Sequence, residues 1–151
     1  MNERLVPLNL PSPDLKMARK GDQPMVWDHI RQKYLLLTPE EWVRQHLVHY
    51  LISLGYPKTA IALEGGFKLL SKSRRTDILI YKLQKPYMIV ECKAPQVKIS
   101  QDTFDQAMQY NLHYNVPFIL ISNGLHHYTA RVLREEQRLE FLENIPSYDQ
   151  I

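Results

Sequence analysis

Two β-rich runs joined by a short connection constrain the fold of this chain more than any other feature. The first run covers residues 76–81 and the second covers residues 87–93, and aliphatic residues and tyrosine dominate both. Residues 82–86 between them have the length of a β-hairpin connection. The sequence therefore predicts two adjacent antiparallel strands.

These two runs also carry a distinctive set of polar side chains. Asp77 stands near the start of the first run, and Glu91 and Lys93 lie two positions apart at the end of the second. Because side chains alternate along a strand, Glu91 and Lys93 are predicted to share a face, with Cα atoms roughly 6.6 Å apart, while Cys92 points to the other face. At that separation, a metal-binding carboxylate and an ammonium group can reach the same phosphate.

The triplet at 91–93, preceded by Asp77, resembles the active-site signature of the PD-(D/E)-x-K nuclease superfamily. Two further motifs narrow the resemblance. The segment 38–45, TPEEWVRQ, comes before the triplet, and Gln106 and Tyr110 form a Q-x-x-x-Y motif after it. Elements in this order are similar to the nuclease domain at the N-terminus of type I restriction enzyme R subunits, and they span most of the chain.

The resemblance implies a restriction-endonuclease-like core, which is an α/β fold with a mixed central β-sheet flanked by α-helices. It implies a metal-dependent nuclease that hydrolyses DNA phosphodiester bonds. Asp77, Glu91 and the main-chain carbonyl of Cys92 would hold Mg²⁺, with Mn²⁺ as a substitute, through the oxygen ligands that a hard ion requires. Lys93 would orient or deprotonate the attacking water and stabilise the transition state.

The segment after residue 37 predicts a helix. Thr38 can cap it, Pro39 fits its first position, and Gly55 is placed to end it. Apolar residues recur along it at helical spacing and predict one buried stripe. The stripe comprises Val43, Leu47, Tyr50, Leu51 and Leu54.

The resemblance also implies that a glutamate at the start of this helix joins the metal site, and two candidates are adjacent. At 100° per residue, Glu40 lies at the edge of the apolar stripe and stands four positions before Arg44, whereas Glu41 faces away. Glu40 is therefore the predicted ligand, with Glu41 as the alternative. Both glutamates would also be favoured in a first helical turn by the helix dipole alone.

A second helix is predicted after Ser100, with Phe104, Met108 and Leu112 as its buried stripe. Gln106 and Tyr110 lie on a separate face of this helix. In nucleases with the same Q-x-x-x-Y pattern these two residues help to hold DNA near the metal, and a tyrosine ring can stack on a base. Without the resemblance, this face is simply the solvated side of an amphipathic helix.

Charge is distributed unevenly along the chain. Residues 58–98 carry nine Lys and Arg against three Asp and Glu, whereas the rest of the chain has a net charge of −3. A basic segment around a metal site suits a polyanionic partner such as DNA. Arg74 and Arg75, in a predicted loop at 71–75, are candidates for phosphate contacts, although they can equally be ordinary loop charges.

The remaining segments predict a simple continuation of the fold. Residues 116–122 are predicted to form a buried strand parallel to the E-x-K strand, and residues 128–133 one further strand. Residues 134–143 are predicted to form a turn or short helix. Residues 1–37 are predicted to be an N-terminal extension or docking arm, with 38–151 as the nuclease domain. Spacings of three and four among Trp27, Ile30 and Tyr34 predict a short helix or a docking arm.

Several protein classes are disfavoured by composition. Cys92 is the single cysteine, so no internal disulfide forms, as expected in a reducing compartment. No apolar run reaches the ~20 residues of a membrane span, and the N-terminus lacks the pattern of a signal peptide. A cytoplasmic protein without membrane contact is expected.

The sequence also lacks the G-x-x-x-x-G-K-[ST] loop of an ATP-driven motor, which type I R subunits carry after the nuclease domain. The expected partners are therefore DNA together with a second copy of the chain or separate motor and specificity subunits. The alternative function is a DNA-binding or assembly module that keeps the nuclease fold without cutting.

Overall fold

The structure is a computed structural model that describes residues 5–63, 66–69, 72–75 and 77–151. Two α-helices and eleven β-strands lie within this part of the chain. The helices are α1 (Pro39–Ser53) and α2 (Gln101–Tyr114). The strands are β1 (Met17–Lys20), β2 (Gln23–Asp28), β3 (Lys33–Leu36), β4 (Ile61–Leu63), β5 (Gly66–Leu69), β6 (Lys72–Arg75), β7 (Ile78–Lys82), β8 (Lys85–Cys92), β9 (Phe118–Ser122), β10 (His127–Leu133) and β11 (Arg138–Leu142).

A six-stranded central sheet forms the middle layer, in the order β11-β10-β9-β8-β7-β4. Its strands are antiparallel except for the pair β8 and β9, which run parallel and are connected through α2. The hairpin between β7 and β8 turns at Leu83 and Gln84, both at positive φ, as a two-residue type I′ connection requires. The predicted hairpin, the parallel strand and the mixed α/β sheet are therefore confirmed.

The two faces of the central sheet are covered by different helices. Along β8, Met88, Val90 and Cys92 pack into the core on the α1 side, whereas Ile89 packs into the core on the α2 side. This alternation follows from the period of two along a strand. Cys92 is 2% exposed, which confirms that it is a small buried residue on the face opposite Glu91 and Lys93.

The first helix forms as its sequence predicts. Thr38 caps it by accepting a hydrogen bond from the backbone N–H of Glu41 at 3.1 Å, and Pro39 occupies its first turn. The helix ends at Ser53, and Gly55 follows it with φ +91°. Glycine tolerates this left-handed conformation, which explains why the helix ends there.

The buried stripe of α2 differs from the predicted one. Phe104 is buried as expected, and Met108 is partly buried, but Leu112 is 78% exposed and Asn111 is buried in its place. The Asn111 side chain accepts a hydrogen bond at 2.6 Å from the backbone N–H of Val116, which follows the helix. Asn111 lies seven positions after Phe104, which is about two helical turns, so it faces the same side, and this bond satisfies its buried side chain and a buried backbone donor.

The N-terminal region contains a second, smaller sheet, so of the two predicted alternatives, a short helix or a docking arm, the helix is wrong. Strands β1, β2 and β3 form a three-stranded antiparallel sheet, called the N-terminal sheet below. Trp27 and Tyr34 are cross-strand partners whose ring centroids lie 5.1 Å apart in an edge-to-face contact. The spacing of Trp27 and Tyr34 in the sequence fits a cross-strand pair in a hairpin as well as it fits one face of a helix.

Two other segments also form strands where other structures were predicted. Within residues 134–143, a turn or short helix was predicted; residues 134–137 do form a turn, with Gln137 at positive φ, but Arg138–Leu142 forms β11 and pairs with β10. Within the predicted loop 71–75, Lys72–Arg75 forms β6 and pairs with β5. None of the helices in the described ranges has the length and apolar character that a bilayer crossing requires.

Candidate active site

The strand register brings the two predicted acidic residues together. Asp77 immediately precedes β7, and Ile78, the first residue of β7, pairs with Val90 of β8. The next position along each strand therefore places Asp77 beside Glu91. Lys93 directly follows β8 and its backbone N–H donates to the Ser122 carbonyl at 2.8 Å, which continues the pairing with β9. The hairpin thus brings the three predicted catalytic residues together where β7 begins and β8 ends, within the central sheet.

Both carboxylate oxygens of Asp77 accept hydrogen bonds. Oδ1 accepts from the Arg44 guanidinium, with a distance of 2.7 Å to Nη2. Oδ2 accepts from the backbone N–H of Cys92 at 2.7 Å. Each oxygen retains a lone pair after these bonds, so the carboxylate is oriented and can still bind a metal ion. The Cys92 main chain thereby lies next to Asp77, as the predicted ligand set requires.

Glu91 is a buried carboxyl group with a strongly raised pKa. It is 6% exposed, and its Oε1 has no hydrogen-bond partner among the described residues. The pKa of Glu91 is raised to about 8, chiefly by burial and then by the charge and hydrogen bond of the neighbouring Asp77, while Lys93 acts in the opposite direction. A paired, buried carboxyl group of this kind is typical of a site that a cation would neutralise.

The two glutamates of the first helical turn are arranged differently from the prediction. Glu41, expected to face away, is 4% exposed and forms an ion pair with Arg44, whereas Glu40 is exposed. The prediction that Glu40 faces inward and Glu41 outward is therefore wrong. The reason is that α1 buries more than its apolar stripe, since the inward ion pair of Glu41 and Arg44 widens its buried face. Glu40 still lies close enough to Glu91 for its charge to raise the Glu91 pKa.

Arg44 is a site residue that sequence reasoning considered only as a neighbour of Glu40. Its guanidinium bridges Glu41 and Asp77, and it is largely buried. Burial lowers the pKa of Arg44, but the Glu41 and Asp77 charges outweigh that effect and hold the pKa above its ordinary value. Arg44 is therefore a permanent cation between two carboxylates. The available signal was its position within the TPEEWVRQ segment, whose polar residues fit an inward-facing site.

The donor set fits a hard cation that completes its coordination with other oxygens. Asp77 and Glu91 provide two carboxylates, and the Cys92 main chain lies against Asp77. No group of three or more His, Cys, Asp or Glu side chains arranged for a metal ion occurs in the described part of the chain. A metal ion here would therefore need main-chain, water or phosphate oxygens as further ligands, as is common for Mg²⁺.

The structure gives less information on the predicted DNA-binding residues. Gln106 is exposed on α2, the helix that packs against β8 and β9. Tyr110 belongs to the same helix, and Arg74 and Arg75 belong to β6, but the side chains of these three residues lie outside what the structure describes. Contact of all four residues with nucleic acid stays a prediction.

Comparison with known families decides what kind of domain carries this site. The family model described as type I restriction enzyme R protein N terminus (HSDR_N) matches residues 39–146. The chain belongs to this family. The match covers more than half of the chain and includes α1, the β7–β8 hairpin and α2, so the resemblance inferred from the motifs is confirmed.

A solved relative of this family member supports the same fold. The protein fragment is assigned as an HsdR subunit of a type I restriction enzyme from Vibrio vulnificus YJ016, and its structure matches with a TM-score of 0.56 and 20% sequence identity. The match covers 75% of this chain and 24% of that one, so this chain spans about a quarter of its length. A search of curated proteins finds no match. The structural match shows the same fold, and the family match identifies the chain as a type I restriction enzyme R protein N-terminal domain.

Proposed function

We propose that this domain is a metal-dependent nuclease that hydrolyses DNA phosphodiester bonds. The observation that carries the proposal is the carboxyl pair of partly buried Asp77 and buried Glu91, next to Lys93 at the end of β8. Arg44 pairs with Asp77, but Glu91 Oε1 has no partner among the described residues, and the raised Glu91 pKa reflects the cost of burying this carboxyl group beside Asp77. The pair is therefore best explained as a cation site next to a positively charged catalytic residue.

Each residue of the site has a role that follows from its position. Asp77, Glu91 and the Cys92 carbonyl would hold Mg²⁺ or Mn²⁺, and exposed Glu40 would contribute through a water molecule. The bound metal would supply charge neutralisation at the scissile phosphate and lower the pKa of a coordinated water. Lys93, on the same strand face as Glu91, would orient that water and stabilise the negative charge that develops on the phosphate.

The proposed substrate is DNA, with Gln106, Tyr110, Arg74 and Arg75 as the residues that would bind it. The local charge supports this proposal, because two of the three acids within residues 58–98 are Asp77 and Glu91. With a metal ion bound to that pair, nearly all of the remaining charges of the segment would be positive, which suits a phosphate backbone. Partners such as a second copy or separate motor and specificity subunits belong to the same proposal.

The decisive test is cleavage by the purified wild-type protein. It is expected to nick or cut DNA with Mg²⁺ or Mn²⁺, and a chelator is expected to stop the reaction. Supercoiled, linear and single-stranded DNA should all be assayed, because each of these substrates exposes phosphates differently. Binding of all three forms without cleavage of any would contradict the proposal and identify a non-cleaving DNA-binding module.

The proposed DNA contacts predict two different effects on binding. Replacing Arg74 and Arg75 with alanine is expected to weaken DNA binding and flatten its salt dependence, since each lost phosphate contact releases roughly one counterion fewer. Tyr110→Ala is expected to cost on the order of 1–3 kcal/mol of binding free energy with little change in the salt slope, because stacking displaces no counterions. Affinities measured at several salt concentrations separate the two effects.

One matched control lies on α2 with Tyr110, and another lies on β11. Leu112 is 78% exposed on α2, so Leu112→Ala tests whether any change near Tyr110 weakens binding. Arg138 forms an exposed ion pair with Glu136, so Arg138→Ala tests whether loss of any arginine flattens the salt dependence. If Tyr110→Ala behaves like Leu112→Ala, the Gln106 and Tyr110 face is only a solvated helix surface.

A further inference from the structure

A largely buried network of charged and polar contacts connects the N-terminal sheet to the candidate active site. It begins at Asp28, the last residue of β2, whose Oδ2 pairs with the Arg31 Nε at 2.9 Å. The Arg31 Nη2 lies 3.5 Å from the Glu41 Oε1 in the first turn of α1. Glu41 then pairs with Arg44, and Arg44 donates to Asp77. Four links therefore join the end of β2 to a predicted metal ligand.

Further hydrogen bonds within this network fix its residues in place. The Gln45 side chain donates to Glu41 Oε1 at 3.0 Å and approaches Asp28 Oδ2 at 3.4 Å. Asp28 Oδ1 accepts the backbone N–H groups of Ile30 and Arg31, at 2.8 and 3.0 Å, and so also fixes the turn that holds Arg31. Asp28, Glu41 and Gln45 are each at most 5% exposed, so water competes little for these contacts.

The positive charge of Arg44 is shared between the carboxylates of Glu41 and Asp77. Arg44 contacts both Glu41 and Asp77, and a buried glutamate without a second cation would attract the Arg44 guanidinium toward itself. Arg31 supplies that second cation to Glu41, which leaves one arm of Arg44 available to Asp77. The orientation of Asp77 would therefore depend on Arg31, in the turn between β2 and β3, through Glu41 and Arg44.

We propose that Arg44 and Arg31 are positioning residues for Asp77, and that the functional unit therefore begins at Asp28 in the N-terminal sheet. The family match begins only at residue 39, after both Asp28 and Arg31. The N-terminal sheet is then a structural part of the active site rather than an appended arm. Its importance for catalysis rests on the proposed nuclease function, but the position of Asp77 can be measured without metal or DNA.

The backbone amide of Cys92 provides that measurement. Its N–H donates to Asp77 Oδ2, whereas the next amide, that of Lys93, donates to the Ser122 carbonyl. Displacement of Asp77 removes the partner of the first amide and leaves that of the second in place. Amide hydrogen exchange followed by NMR therefore distinguishes a repositioned Asp77 from a general loss of stability, which would expose both amides.

The expected results form a double-mutant cycle. Arg44→Met should accelerate exchange at Cys92 by about tenfold, the usual protection from one hydrogen bond, with little change at Lys93. Arg31→Met should accelerate it by about threefold, and should add nothing in the Arg44→Met background because its effect passes through Arg44. Arg131→Met, which removes an exposed ion pair with Glu140, is the matched control and should leave both amides unchanged.

Several outcomes would overturn the proposal. One such outcome is an unchanged exchange rate of the Cys92 amide in Arg31→Met. Additive effects of the two substitutions, or equal acceleration of exchange at Cys92 and Lys93, are the others. Each would show that Asp77 is held independently of this network. If Arg44→Met does not fold, Arg44→Lys replaces it in the same cycle, since an ammonium group cannot bridge both carboxylates. Because the measurement uses neither metal nor DNA, a protein that fails to cleave can still confirm or contradict the positioning role.

Discussion

Replacing Lys93 with alanine is expected to reduce Mg²⁺-dependent DNA cleavage by about 10²–10³-fold, the usual loss when one group that stabilises transition-state charge is removed. The side chain leaves β8 next to Glu91, and its charge already acts on the Glu91 carboxyl group. The main-chain position is fixed by the bond from its N–H to Ser122, so the substitution should leave the fold intact. Initial rates at saturating metal and DNA would measure the loss.

Three comparisons make this result specific. Lys85→Ala, at the opposite end of β8, removes the same charge from the same strand and should leave the rate unchanged. Asp77→Ala and Glu91→Ala should reduce cleavage at least as much as Lys93→Ala does. A Lys93→Ala protein that cuts as fast as wild type would show that Lys93 takes no part in the chemistry, even if the metal site is correct.

The second large effect concerns pH. Glu91 has an ordinary pKa of 4.5 that folding raises to about 8, chiefly through burial and then through the Asp77 charge. The metal-free folded state therefore binds this proton more tightly than the unfolded chain does. The resulting stabilisation is fully present below pH 4.5 and is lost as pH rises to about 8, by up to about 1.4 kcal/mol per pH unit.

Metal binding should show the complementary dependence. A divalent ion displaces the Glu91 proton, so Mn²⁺ affinity should increase by about tenfold per pH unit up to about pH 8 and then level off. Calorimetric titrations at several pH values would measure this change together with the released proton. An affinity that is constant between pH 6 and 8 would mean that Glu91 is ionised before the metal binds.

The variant Glu91→Gln isolates this effect from other titrating groups. Burial lowers the pKa values of His46, His49 and His127, which favours the folded state at higher pH and so opposes the Glu91 trend. The difference in unfolding free energy between wild type and Glu91→Gln removes these shared contributions. Glu140→Gln, at a carboxylate that is 42% exposed, is the control and should leave the pH dependence of wild type unchanged.

Local sequence was sufficient to predict the central strands of the fold and the shared strand face of Glu91 and Lys93. The β7–β8 hairpin, the cap of α1 and the parallel β9 follow from periodicity, turn length and capping residues, which act over a few positions. The face shared by Glu91 and Lys93 also follows from strand alternation alone. Assigning that pair to a nuclease required the longer pattern of motifs from Thr38 to Tyr110.

Contacts between separate segments of the chain could not be predicted from local sequence. The Trp27 and Tyr34 spacing fits a helix and a hairpin equally, and only their cross-strand contact selects the hairpin. Residues 138–142 became a strand because the open edge of β10 was available for pairing. On α2, the apolar residues favoured Leu112, but helical geometry places Asn111 on the side of Phe104, and a hydrogen bond from the backbone N–H of Val116 allows this polar side chain to be buried.

The sequence by itself determined the hairpin that carries Asp77, Glu91 and Lys93, because strand geometry acts between neighbours in the chain. Only the tertiary structure decided which helical glutamate is buried and what holds Asp77 in place. Arg44 lies 33 positions from Asp77, and its charge is shared with Glu41. A buried charge must be balanced by whichever opposite charge the fold brings within reach, and that partner is set by packing rather than by sequence distance.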